Sequence, residues 1–79
     1  MTALNPASAL GNHMKALRAQ RKLTQADLAD VVGVTRKTVY TVENQVFFPS
    51  TLLALKFAQA LGVNVEELFY LEDMDTPGD

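Results

Sequence analysis

Apolar residues recur at helical spacing in five blocks along the chain, and each block opens on a side chain suited to cap a helix. The first helix is expected from Asn12 to about Arg21, with Met14 and Leu17 on one stripe and Leu10 in line with it. The second starts at Thr24, with Asp27 three residues on in a variant of the capping box. It buries Leu28, Ala29 and Val32 and stops at Gly33, because glycine enters the left-handed conformation freely. The third starts at Thr35, turns Val39 and Val42 inward and ends near Asn44. A loop over residues 45–49 carries Phe47 and Phe48, and Ser50 then caps a fourth helix that runs to Leu61 and stops at Gly62. The apolar residues of that helix, Leu52, Leu53, Leu55, Phe57, Ala58 and Leu61, cover more than one side, which suits a core or an interface. The fifth helix starts at Asn64, with Glu67 at the reciprocal capping position and Val63 and Leu68 spaced as a hydrophobic staple, and ends near Phe69. No run alternates long enough for a core strand, and three residues, Phe69, Tyr70 and Leu71, fit a short extended piece without deciding it. The pattern predicts an all-α chain with one domain over residues 12–71. Residues 1–11, small and polar with Asn5-Pro6, read as a flexible arm, and residues 72–79, with Pro77 and Gly78, as an acidic flexible tail.

Seventy-nine residues hold one domain. A core of that size rarely supplies more than ~3–5 kcal/mol alone, so efficient packing, dimerisation or both are expected. The absence of cysteine removes disulfides and thiolate metal sites. No stretch reaches the roughly 20 consecutive apolar residues of a membrane span. The first residues lack a basic segment before an apolar run, which points away from a signal peptide and toward a cytoplasmic chain.

The net charge of −2 conceals an uneven distribution. From Asn12 to Asn44 the bases Lys15, Arg18, Arg21, Lys22, Arg36 and Lys37 face only Asp27, Asp30 and Glu43. From Gln45 onward Lys56 stands alone against Glu66, Glu67, Glu72, Asp73, Asp75 and Asp79. A basic face can hold phosphate whatever the net charge, although such a split also describes ordinary solvated helix surface. An enzyme has little to rest on here. His13 is the single histidine, too few for a relay or a metal cluster, and no glycine-rich phosphate loop is present. Glu66-Glu67 and Glu72-Asp73 are accounted for by capping and solvation. No metal, cofactor or small-molecule ligand is implied.

The informative stretch is Thr24 to Asn44, T-Q-A-D-L-A-D-V-V-G-V-T-R-K-T-V-Y-T-V-E-N. Two helices meeting steeply across a short glycine-containing turn need a small residue at their closest approach (Ala29), a turn former (Gly33) and an apolar plug (Val34). With Val39 and Val42 inward, Arg36, Lys37, Tyr40 and Thr41 face outward. This stretch resembles the helix-turn-helix of the phage repressor/Cro-like family, the xenobiotic-response-element type. L-R-A-Q-R-K-L-T-Q-A-D-L-A before the turn, V-E-N followed by F-P-S after it, and A-L-G-V-N-V-E-E-L-F extend the resemblance from about Asn12 to Leu71.

The resemblance implies a five-helix lambda-repressor-like DNA-binding domain and a sequence-specific transcriptional regulator, a repressor by expectation. Its third helix would read the major groove of double-stranded DNA. Arg36, Lys37 and Thr41 match base-reading positions, with Tyr40 beside them for sugar or a thymine methyl. Gln25 matches a glutamine that contacts the DNA backbone and braces the first recognition residue. Thr35 at the N-terminus of the third helix, and Thr38 and Asn44, fall at phosphate-contacting positions, and Arg21 and Lys22 add non-specific attraction. Arg18 and Glu43 match a buried salt bridge. Two positions depart from the family. Gln45 stands where glycine usually follows the recognition helix, so Gln45 or the more tolerant Asn44 must turn left-handed, and Val46 replaces a frequent base. Regulators of this type bind as two-fold dimers. Leu53 and Phe57 on the fourth helix, with Phe69, Tyr70 and Leu71, are the candidate homodimer surface, the alternative being that they close the core of a single chain. The alternative function is a protein-interaction module on the same fold, such as an antitoxin with a protein partner.

Overall fold

Three of the helices begin where a threonine or serine hydroxyl takes up a free N–H of the opening turn. The computed structural model describes residues 8–73. Thr24 caps α2 (Gln25–Val32) in a full capping box with Asp27, Thr35 caps α3 (Arg36–Glu43), and Ser50 caps α4 (Thr51–Leu61). Asn64 and Glu67 form a second capping box at α5 (Val65–Leu68). The helices α2 and α4 end on left-handed glycines, Gly33 at φ 89° and Gly62 at φ 71°, as the pattern predicts.

The first helix, α1 (Met14–Gln20), starts one residue later than expected, with His13 rather than Asn12 at its cap. Asn12 still serves that helix through its side chain, whose Oδ1 accepts from the Met14 N–H at 3.1 Å. Its backbone belongs to a strand, β1 (Ser8–Asn12), which pairs antiparallel with β2 (Phe69–Asp73). The five expected helices are all present and the chain is mostly helical, but among the described residues a small two-stranded sheet joins them, which the all-helical reading lacks. Strand takes residues 8–11 from the stretch that reads as an arm and residues 72–73 from the stretch that reads as a tail. The remaining residues of both stretches lie outside the described ones.

The register sets Leu10 opposite Leu71, Gly11 opposite Tyr70 and Asn12 opposite Phe69. Glycine at position 11 has a steric reason. A Cβ there would lie 2.4 Å from the Tyr70 ring, so only a bare α-carbon lets that ring lie across the partner strand. The ring also packs on His13, with centroids 4.8 Å apart, and the His13 N–H donates to the Leu68 carbonyl at 2.8 Å.

The core lies where the helices converge. Met14 of α1, Leu28 and Ala29 of α2, Val39 and Val42 of α3, Phe57, Ala58 and Leu61 of α4, and Leu68 and Phe69 are buried together. Leu10, Leu17, Leu53, Val32 and Val34 pack around them, half-buried. Burying one large apolar side chain contributes about 1.5–3 kcal/mol, so Phe57, Met14 and Leu28 carry much of the driving force. No described helix is long and apolar enough to cross a membrane.

Candidate nucleic-acid interface

The turn between α2 and α3 is made by three residues. Gly33 turns left-handed and donates to the Ala29 carbonyl at 2.8 Å, and the Val34 N–H donates to the same oxygen at 3.0 Å. Val34 packs half-buried between the helices, and Thr35 opens α3 by accepting from the Thr38 N–H at 3.2 Å. Because Val39 and Val42 anchor α3 in the core, its opposite face points to solvent. Arg36, Lys37 and Tyr40 are exposed there, Tyr40 by 51 %.

The α3 helix is also held from end to end by side chains. Arg18 of α1 grips Glu43 through two donors, Nε to Oε2 at 2.5 Å and Nη2 to Oε1 at 3.1 Å. The two side chains keep only 12 % and 6 % of their surface, and Arg18 Nη1 donates onward to the Leu23 carbonyl at 2.9 Å. Gln25, at the first position of α2, spans the length of α3. Its Nε2 donates to Glu43 Oε1 at 3.2 Å, and its Oε1 accepts from Arg36 Nη1 at 3.2 Å. A guanidinium has five N–H donors, so Arg36 keeps free ones for a ligand while this contact aims it.

The threonines of this face are already engaged, and Thr38 and Thr41 are half-buried. Thr41 Oγ1 donates within α3, to the Lys37 and Thr38 carbonyls, both at 3.0 Å. Its methyl and its acceptor lone pairs remain for a base edge. The hydroxyls of Thr35 and Thr38 lie 3.1 Å apart at the start of α3, beside its free N–H groups. Asn44 folds back, Nδ2 donating to the Tyr40 carbonyl at 2.8 Å. Arg21 and Lys22 occupy the turn between α1 and α2. Arg21 is exposed and reaches back to the Leu17 carbonyl at 3.2 Å, and Lys22 is exposed with φ 57°.

Of the two ways to leave α3, the chain takes the one that uses Gln45, at φ 61°, while Asn44 stays at φ −92°. Sequence reasoning missed the contacts made at this exit. The Gln45 amide donates to the Leu10 carbonyl of β1 at 3.1 Å and to Glu72 Oε1 of β2 at 3.0 Å. Asn12 Nδ2 donates to the Val42 carbonyl at 3.1 Å and, more distantly, to that of Glu43 at 3.4 Å. A polar residue at a position that suits glycine was the available signal, but its partners come from both ends of the chain.

The candidate homodimer residues divide. Phe57 is fully buried in the core of a single chain and Phe69 is 9 % exposed, so neither has surface to offer a second copy. Leu53 is half-buried against the same core. Tyr70 and Leu71 are exposed, and α4 presents Leu52 (65 % exposed) and Leu55 (51 %) in place of Leu53 and Phe57. The adjoining loop exposes Val46, Phe47 and Phe48. Among the described residues no cluster of His, Asp and Glu is placed to hold a metal.

Comparison with known proteins places this geometry. Residues 14–68 match the Helix-turn-helix family. YgzD of Bacillus subtilis, described as an uncharacterized HTH-type transcriptional regulator, is 44 % identical over 62 residues, covering 78 % of this chain and 94 % of YgzD. The immunity repressor of Bacillus phage phi105 is 34 % identical over 59 residues, 75 % of this chain but only 41 % of the repressor. Among solved structures, the restriction-modification controller protein C.AhdI from Aeromonas hydrophila superposes with a TM-score of 0.66 at 33 % identity, over 68 % of this chain and 82 % of the controller.

Proposed function

The chain belongs to the helix-turn-helix family of HTH-type transcriptional regulators, and on that premise we propose that it binds double-stranded DNA as a regulator, with α3 in the major groove. The observation that carries the reading is the brace on Arg36. Gln25 holds the guanidinium at the start of α3 while leaving it exposed, and Glu43 and Arg18 anchor Gln25 in turn. An arginine so placed suits guanine O6 and N7, worth ~1–3 kcal/mol of discrimination for a good bidentate contact. Lys37, Tyr40 and the Thr41 methyl lie along the same face. The N–H groups at the starts of α2 and α3, with Thr35 and Thr38, flank that face with phosphate donors, while Asn44, Arg21 and Lys22 supply further backbone contacts. Such contacts position the protein without reading sequence.

The protein acts as a homodimer and as a repressor. Support for the dimer is the outer face of α4, where Leu52 and Leu55 lie one helical turn apart and open to solvent, with Leu71 exposed on β2. Two copies related by a two-fold axis would set their α3 helices ~34–36 Å apart, one helical turn of DNA. A Leu55→Glu variant sedimenting as wild type at high concentration and on DNA would remove α4 from the interface.

The test of the reading is selection of bound fragments from a random duplex pool, with wild type beside an Arg36→Ala, Lys37→Ala double variant. An inverted repeat enriched by the wild type and lost by the folded variant is the expected result. If the wild type enriches nothing and binds weakly even at low salt, the reading fails, and a protein partner takes its place.

A further inference from the structure

The two ends of the described chain meet in a sheet that grips the recognition helix, and the grip is made by side chains rather than by core packing alone. Asn12, the last residue of β1, works in two directions: its Oδ1 accepts from the start of α1 and its Nδ2 donates to carbonyls in the last turn of α3. The Val42 carbonyl also accepts from the Gln45 N–H at 3.1 Å, so side chain and backbone converge on the same oxygen at the helix exit. Gln45, one residue past the Asn44 cap, sends its amide to the Leu10 carbonyl of β1 and the Glu72 carboxylate of β2. It does so from a left-handed backbone, φ 61°, a conformation that costs a residue with a Cβ energy that glycine is spared. The side chain thus makes two hydrogen bonds from a position that its backbone disfavours. From this end, Glu43 connects through Gln25 to Arg36 at the other.

We infer that the paired terminal strands are a clamp that positions α3 for DNA, and that Asn12 and Gln45 are its positioning residues. The inference rests on the DNA-binding reading and adds a second element to it, since neither residue belongs to the exposed base-reading face. Among the described residues the sheet has two strands, and a two-stranded ribbon is marginal by itself, so its pairing depends on what it touches. The coupling therefore runs both ways. Separating β1 from β2 frees the exit of α3, and an α3 aligned only part of the time binds with an affinity reduced by that fraction. DNA that fixes α3 favours the paired strands by the same factor.

The test uses Gln45→Gly, which removes both side-chain contacts and relieves the backbone, so that loss of fold does not confuse the result. Its thermal midpoint should equal or exceed that of the wild type. Amide exchange of residues 42–45 in the free protein should quicken about tenfold, and affinity for the enriched duplex should fall about fivefold to tenfold, in proportion to the aligned fraction. Gln45→Glu, which has no amide to donate and faces Glu72 with like charge, should lose more. Adding Glu72→Gln to it restores a donor–acceptor pair across the same gap and should recover part of the loss, which a general packing defect would not. Asn12→Ala should loosen the same residues of α3. Unchanged exchange over residues 42–45 in both Gln45→Gly and Asn12→Ala overturns the clamp, whatever DNA does. Quickened exchange with unchanged DNA affinity overturns its role in positioning. If the wild type enriches no duplex, the DNA-binding reading fails on its own, and the exchange data still decide whether the clamp exists.

Discussion

Removal of the Glu43 carboxylate should be among the most damaging single changes available in this chain. Glu43 receives two donors from Arg18 and one from Gln25, and its side chain is 6 % exposed. Glu43→Ala leaves the Arg18 guanidinium with 12 % of its surface in water and only the Leu23 carbonyl as a remaining partner. Breaking one side of a buried, hydrogen-bonded ion pair costs about 3–5 kcal/mol, because the other charge stays desolvated. The retained Leu23 contact and the partial exposure of Arg18 place this case near the lower end, about 3 kcal/mol. A domain of this length holds on the order of 4–12 kcal/mol in all, so the variant is left marginal. With about 4–8 °C lost per kcal/mol in a domain of this size, the midpoint should fall by on the order of 12–24 °C. Removing both charges is a different perturbation. An Arg18→Met, Glu43→Leu double variant leaves no buried charge and should lie within about 1 kcal/mol of wild type. Urea unfolding of wild type, Arg18→Met, Glu43→Leu and the double variant yields the coupling directly, with Glu43→Ala measured beside them. A Glu43→Ala cost below about 1 kcal/mol, or a double variant as unstable as the worse single one, would refute the reasoning. The first outcome would mean that water already screens the pair. The second would mean that shape, rather than charge, is what the site requires.

Gly11→Ala places a methyl 2.4 Å from the Tyr70 ring, and the ring, being part of a half-exposed side chain, should swing off β1 at a cost of about 1 kcal/mol. The mark of that movement is loss of the Tyr70 ring-current shift at His13, and an unchanged His13 spectrum would contradict it. At the start of α2, the Thr24 N–H and then the Thr24 hydroxyl hold the Asp27 carboxyl below its ordinary 3.8. In the window between that lowered value and 3.8 the unfolded chain binds more protons, so this contribution is fully present above the window and is lost as pH falls through the folded value. Thr24→Ala should move the Asp27 titration seen by NMR part of the way back up, and no movement would assign the shift to the backbone contact alone. Lys22→Gly relieves a second left-handed residue, φ 57°, and should stabilise by at most about 1 kcal/mol while lowering the salt slope of DNA binding by about one. An unchanged slope would remove Lys22 from the phosphate contacts.

What could be read from the sequence was local. Thr24, Thr35, Ser50, Asn64, Gly33 and Gly62 announce helix ends because a cap is satisfied by residues three or four positions away. The turn and the inward valines were legible in the residues themselves and the Arg18–Glu43 pair only through the family resemblance; Val39 and Val42 are buried, and Arg18 and Glu43 are joined. The sheet was not legible. Its strands are five residues each, lie at opposite ends of the described chain and carry no sustained alternation, so nothing local distinguishes Ser8–Asn12 from a loop. Pairing depends on Tyr70 finding Gly11, a contact between distant positions. Helix α4 shows a second limit of pattern reading. With Leu52, Leu53, Leu55, Phe57 and Ala58 nearly consecutive, periodicity cannot say which side meets the core. Packing selects Phe57, Ala58 and Leu61 and leaves Leu52 and Leu55 outside. The Gln45 contacts combine both difficulties, since an unfavourable backbone angle is offset by partners far away in sequence.

The central claim is that the outer face of α3 enters the major groove, and intermolecular NMR contacts with the enriched duplex test it most directly. The account predicts NOEs from the side chains of Arg36, Lys37, Tyr40 and Thr41 to major-groove protons, thymine methyls and cytosine H5, with the largest amide shifts along α3 and at the starts of α2 and α3. Contacts to minor-groove adenine H2 protons, or shifts gathered on α4 and β2 with α3 undisturbed, would contradict it.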